Sequence, residues 1–105
     1  MTTNMHVKTQ SSEGKARISL SGRFDFNSHR LFRDAYEEVL ASGDATEIEV
    51  DMGAVDYLDS SALGMLLLLR EKSLEANKAL ALSNCRGVVQ QILDVANFGK
   101  LFTIR

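Results

Sequence analysis

Along this chain the apolar residues keep changing their repeat, from every second position to every third or fourth and back again. Side chains return to one face every second residue in a strand and about every 3.6 residues in a helix. A chain that keeps switching between the two must alternate strands with helices, the pattern of an α/β domain.

The switches can be located. Met5–Thr9 and Ala16–Ser21 alternate in polarity and flank Gln10–Gly14, which has turn composition, so they read as a hairpin. Gly22–Ser28 reads as a loop. Phe32, Ala35, Tyr36, Val39 and Leu40 then recur at i, i+3, i+4, i+7 and i+8, one face of a helix. Asn27 or Ser28 can cap its start, and Gly43 suits its exit. Thr46–Met52 returns to alternation, with Ile48 and Val50 on one side and Glu47, Glu49 and Asp51 on the other. A loop follows. From Ser60 to about Ala76 good helix formers dominate. Lys78–Asn84 is a strand. Val88, Val89, Ile92, Leu93 and Ala96 mark a last amphipathic helix that closes near Gly99, and Leu101–Ile104 is a final short strand.

The order is β-β-α-β-α-β-α-β. Strands separated by single helices pair in parallel through right-handed crossovers. The expected fold is therefore α/β, a mixed and mostly parallel sheet with an antiparallel first strand. The polar side of the third strand puts the helices mainly on one face. With 105 residues the chain is expected to form one domain over residues 1–105, long enough to bury a core without disulfides.

Composition excludes several functions. The net charge is −2 and the basic residues are scattered, which argues against nucleic acid as a partner. Cys85 is the only cysteine, so no internal disulfide forms. Met1–Gln10 has no apolar leader core, and the run Met65–Leu69 is far too short to span a bilayer. Direct membrane insertion is not expected, and the cytoplasm is the simplest location. His6 and His29 lack metal-ligand spacing, and no motif implies a cofactor.

The chemistry gathers in Val55–Leu69, "VDYLDSSALGMLLLL". Asp59, Ser60 and Ser61 precede a strongly apolar helix. Aspartate and serine are preferred at a helix N-cap, where a side-chain oxygen accepts free backbone N–H groups. The same location accommodates a phosphate, because the helix dipole and those N–H groups favour negative charge. A phosphoserine there would add about −1.5 to −2 charge to a stretch that already holds Asp56 and Asp59. One serine can thus serve as a switch for docking.

These residues resemble the signature of STAS domains, in particular the bacterial anti-sigma factor antagonists. The family pattern Asp-Ser-Ser-(Gly/Ala)-Leu-Gly at a helix head is matched by Asp59, Ser60, Ser61, Ala62, Leu63 and Gly64. A Gly-x-x-Asp loop after the second strand is matched by Gly22 and Asp25 in "GRFD". The spacing between the motifs and the element order also agree, across essentially the whole chain. The resemblance implies a single STAS-type domain that is not an enzyme. It implies that the unphosphorylated protein binds an anti-sigma factor that is also a serine kinase, and so frees a sigma factor for transcription. The kinase phosphorylates the first serine, here Ser60, the phosphorylated form binds poorly, and a metal-dependent serine phosphatase restores it. Asp25, Asp59, Ser60, Ser61, Leu63 and Gly64 are the implied partner-binding residues. Ala62 stands where glycine is common, and the last third follows the family only loosely.

Rival readings are weaker. STAS domains also serve as subunits of transport or stress-signalling complexes, but the acceptor serine pair favours the phospho-switch. Asp51 at the end of "EIEVDM" resembles a receiver phosphoacceptor, yet no acidic pair follows the first strand. A serine hydrolase would need a Gly-x-Ser-x-Gly elbow and a base from His6 or His29. Cys85 stands beside Arg86, which could lower its pKa, but a lone small thiol is more often structural.

Overall fold

A computed structural model describes residues 5–105; of the stretch read as lacking a leader core, residues 1–4 lie outside the described residues. The elements are β1 (His6–Ser12), β2 (Lys15–Phe24), a 3-10 turn (Phe26–Ser28), α1 (His29–Ala41), β3 (Glu47–Leu58), α2 (Ser60–Glu75), β4 (Ala79–Ser83), α3 (Gly87–Val95), a second 3-10 turn (Phe98–Lys100) and β5 (Thr103–Ile104). The sheet order is β1-β2-β3-β4-β5. β1 pairs antiparallel with β2, and every later pair is parallel. The α/β reading and its mixed sheet are therefore correct.

This order never reverses. Successive right-handed crossovers in one direction put every connecting helix on the same face. The packing agrees: Phe32, Tyr36 and Val39 of α1, Leu66 and Leu69 of α2, and Val89 and Leu93 of α3 share one core with Ile18, Leu20, Ile48, Val50 and Leu82 of the sheet. An order without reversal also has no switch point, the crevice where open α/β sheets usually bind small ligands.

Several boundaries differ from the sequence reading, each for a local reason. The hairpin turn is only Glu13-Gly14, with φ of 50° and 81°. Two positive φ values make the type I′ turn that matches strand twist, so Gln10–Ser12 belong to β1 rather than to the turn. Gly22–Phe24, read as loop, extend β2, because β3 continues beside them to Leu58.

β3 is the largest correction. It runs to Leu58 instead of Met52, and its pairing with β2 shifts register twice, between Ser19 and Ser21 and between Gly22 and Arg23. Ser19 faces Asp51 but Ser21 faces Ala54, and Gly22 faces Val55 but Arg23 faces Tyr57. Each shift inserts one residue, a β-bulge. Buried positions therefore go from Ile48, Val50 and Met52 to Val55 and then Leu58. A strand with two bulges has no period of two, so it looks like a loop in sequence.

α1 starts one residue later than a cap at Asn27 would give, with Ser28, the other cap expected from sequence, at the N-cap position. Ser28 makes no side-chain cap bond; its hydroxyl donates to the Arg23 carbonyl at 3.2 Å. The helix leaves through an extended Ser42 rather than through Gly43. α3 is followed by Asn97 in the left-handed region at φ 59°, so the chain turns before Gly99. β4 and β5 are shorter than read.

The sheet face without helices is polar but not wholly open. Glu49 is buried there, accepting from the Ser83 hydroxyl at 2.6 Å and pairing with Lys15 at 3.0 Å and Arg17 at 3.2 Å. The Ser83 hydrogen bond, helped by Lys15 and Arg17 and opposed by burial, holds its carboxyl below the usual glutamate range. A depressed folded pKa contributes stability that is full above the unfolded value of about 4.3 and is lost as pH falls through the folded one. Urea melts across pH 3 to 6 are expected to show a shallower loss of stability for Glu49→Gln than for the native protein. Parallel curves would mean that Glu49 carries no acid-linked stability.

Candidate partner-binding surface at the head of α2

β2 and β3 end together. Phe24 pairs with Leu58, and the Asp59 N–H donates to the Phe24 carbonyl at 3.3 Å. Asp25 and Asp59 thus leave the sheet from the C-terminal ends of neighbouring parallel strands.

Asp59 is the N-cap of α2. Its Oδ1 accepts the Ala62 N–H at 2.9 Å, and its carbonyl accepts the Leu63 N–H at 3.1 Å. Ser60 and Ser61 are therefore the first helical residues. Ser60 is exposed and its hydroxyl makes no side-chain hydrogen bond among the described residues, while Ser61 is half-buried. Ala62 is fully buried, so the methyl at the position where the family often has glycine packs into the core.

This division of labour gives a test. Removing a capping aspartate costs about 0.5–2 kcal/mol. Asp59→Ala is expected to lower stability by about 1 kcal/mol, and Ser60→Ala to leave it within about 0.5 kcal/mol of native. Thermal melts of both variants check it, and an equal loss in the two would make the Ser60 hydroxyl part of the cap.

Asp25 also makes local bonds. Its Oδ1 accepts the Asn27 N–H at 3.0 Å, which caps the first 3-10 turn, and its Oδ2 pairs with Arg23 Nε at 3.3 Å. The Arg23 guanidinium lies 4.4 Å from the centre of the Tyr57 ring. Sequence reasoning missed Arg23 and Tyr57, because only the bulged register sets them opposite one another.

The exposed side of α2 is unusually apolar. Leu67 and Leu68 are 39% and 43% exposed. Leu63 is half-buried and joins Ile92, Val95 and Ala96 in an apolar cleft of about 290 Å³ between α2 and α3. Val95 is 86% exposed. Near Asp25, Phe26 is 63% exposed and stacks on His29 at 5.1 Å. Gly64 is helical, and a Cβ placed on it would meet nothing within 4 Å. The motif residues therefore share one surface with apolar side chains that the motif does not name.

Other chemistry is disfavoured. Burial, with Asp51 adding to it, pushes the Cys85 thiol up to about 11, and Arg86 is turned away to donate to the Gly53 carbonyl at 2.9 Å. Arg86, although next to this thiol in sequence, therefore does not activate it. Asp51 stands in mid-strand, its Oδ1 held by the Gly53 N–H at 2.9 Å and by Asn84 at 3.0 Å, unlike an acceptor at a strand end. His29 Nδ1 lies 3.0 Å from the Phe26 carbonyl oxygen. Among the described residues no group of three or more His, Cys, Asp or Glu could hold a metal, and no helix is long and apolar enough to cross a membrane. A depression of about 960 Å³ lies elsewhere and includes Lys8, Ser21 and Asp51 but none of the motif residues.

The sequence matches the family model for the Mlab, STAS domain over residues 7–103. It is 48% identical over 87 residues to a STAS-domain containing protein of Pseudomonas aeruginosa, spanning 83% of this chain and 84% of that one. An anti-sigma factor antagonist from Mycobacterium paratuberculosis has the same fold, with a TM-score of 0.85 at 20% identity over 96% of this chain and 85% of that one. The anti-sigma factor antagonist SpoIIAA in its unphosphorylated form matches with a TM-score of 0.73 at 18% identity over 97% and 87%.

Proposed function

The chain belongs to the STAS domain family, and on that premise we propose that it is an anti-sigma factor antagonist switched by phosphorylation of Ser60. One observation carries this reading. Ser60 is exposed at the head of α2 while Asp59 does the capping, so the hydroxyl is free for modification without loss of the helix.

In this reading the protein is a cytoplasmic binding module and not an enzyme. The unphosphorylated form docks an anti-sigma factor that is also a serine kinase, through Asp25, Asp59, Ser60, Ser61, Leu63 and Gly64. The kinase uses a nucleoside triphosphate. The Ser60 oxygen forms a bond to the γ-phosphorus, the bond to the leaving diphosphate breaks, and the hydroxyl proton passes to a base of the kinase. A metal-dependent serine phosphatase reverses the change: water attacks the phosphorus, and inorganic phosphate leaves with Ser60 restored. Docking weakens in the phosphorylated form because a dianion joins Asp56 and Asp59 at the contact and must be desolvated.

Phosphopeptide mapping after reaction with the kinase is expected to find phosphate on Ser60 and not on Ser61, Ser28 or Thr46. Ser28 is 3% exposed, too enclosed to reach a kinase. Helical circular dichroism should persist, since phosphate at a helix N-terminus is favourable. A major phosphate at another residue, or loss of the helical signal, would end the proposal. Asp25→Asn keeps an oxygen for the Asn27 N–H but removes the charge facing Arg23. It is expected to fold normally and to be phosphorylated or bound less well. Unchanged phosphorylation rate and affinity would leave Asp25 a turn cap only.

A further inference from the structure

Arg23 is the next-to-last residue of β2, in a position the switch can use. In the sheet register it faces Tyr57, three residues before Ser60. Its guanidinium rests against the Tyr57 ring at 4.4 Å, and its Nε reaches Asp25 at 3.3 Å. Its side chain is still 51% exposed. Neither contact holds it firmly: water screens an ion pair this open, and a cation over an exposed ring is only weakly attracted.

The sheet register sets the backbone end of β2 beside the residues that lead into α2, and Asp25, which Arg23 contacts, follows directly. Phe24 pairs with Leu58, and the Asp59 N–H bonds the Phe24 carbonyl. Adjacent strands stand about 4.8 Å apart, less than the span of an extended arginine side chain. Around Ser60 the fixed charges in sequence are Asp56 and Asp59, with Asp25 across the strand gap. A phosphate introduced there carries about −2 charge and has carboxylates for neighbours. It needs a cation.

We propose that Arg23 captures the phosphate on Ser60, leaving the Asp25 carboxylate and the Tyr57 ring to do so. The proposal rests on Ser60 as the modified residue. The guanidinium fork fits phosphate oxygens in pairs, and a dianion outcompetes a single carboxylate for it. Asp25 does not come loose, because its Oδ1 still holds the Asn27 N–H at 3.0 Å. It does lose its neutralising partner, and the Tyr57 face is uncovered. Phosphorylation then rearranges the docking surface at three residues besides adding charge at one.

The test bypasses the kinase. Phosphoserine is installed at position 60 during translation, in the native chain and in Arg23→Gln and Arg23→Lys. Phosphorus NMR follows the second ionisation of the phosphate, and proton–nitrogen spectra follow the Arg23 Nε–H. In Arg23→Gln the phosphate should ionise near its ordinary pKa of about 6. With Arg23 in place it should ionise about one unit lower, and Arg23→Lys should fall between them. The Arg23 Nε–H resonance should move on phosphorylation. A purely structural arginine would not shift the ionisation of this phosphate. Equal ionisation in all three proteins, or an unmoved Nε–H, overturns the proposal. If the Gln variant fails to fold, the native–Lys comparison decides in the same way. Kinase mapping to another residue would end the Ser60 reading alone, so the two failures are distinguishable.

Discussion

Ser60→Ala is expected to bind the anti-sigma partner constitutively, and Ser60→Asp to bind it about tenfold more weakly or worse, a loss of about 1.4 kcal/mol. The alanine removes the acceptor and leaves the Asp59 cap untouched, so neither fold nor docking should suffer. The aspartate adds one permanent charge beside Asp59, which must be desolvated against the partner. It mimics a phosphate incompletely, with less charge and fewer acceptor oxygens, so binding should weaken without vanishing. Stability provides the control. A carboxylate in the first turn of a helix is favoured by the dipole, so Ser60→Asp should be at least as stable as native while binding less. Calorimetric titration of both variants with the partner, alongside thermal melts, reads both quantities. Equal affinities for two well-folded variants would mean that charge at Ser60 does not gate docking.

The sequence made the topology legible because the first and last helices announce themselves by period and the second by its helix-forming residues. Phe32, Ala35, Tyr36 and Val39 repeat as a helix face must, and all are buried. Gly53–Leu58 concealed their strand because two bulges move the buried side chains three residues apart. Glu49 was legible as a residue of the polar face but not as a buried one, since its partners Lys15, Arg17 and Ser83 come from two other strands.

The surface around Ser60 divides in the same way. A helix head at Asp59-Ser60-Ser61 could be read from cap preferences, but which residue caps could not, because all three have the chemistry. Asp25 is joined to Asp59 only by the register of Phe24 with Leu58. The cleft beside Leu63 needs α3, and nothing local in Val95 marks it as exposed. Contacts made along the chain were readable, and contacts made across it had to await the fold.

Gly64→Ala is expected to make the free protein more stable and its complex weaker. A glycine inside a helix costs about 0.5–1 kcal/mol relative to alanine, and here the chain itself gives no reason for it. Gly53 is the contrast: a Cβ there would lie 3.1 Å from Asn84 Cβ and from Asp51 Oδ1, so its lack of a side chain is required by packing. Around Gly64 there is open space. Its position is four residues beyond Ser60, hence on the same face of α2, with exposed Leu67 following it. In the proposed docking, a close-fitting partner would give that face a reason to stay bare. Alanine should raise stability by about 0.5–1 kcal/mol, which is several degrees in melting temperature for a domain of this size. The added methyl should then weaken docking by about 1–3 kcal/mol, the usual penalty for overpacking a close contact. Thermal melts and calorimetric titration with the unphosphorylated protein measure the two effects. Greater stability with unchanged affinity would remove Gly64 from the docking surface, and lower stability would mean that the helix, not the partner, needs the glycine.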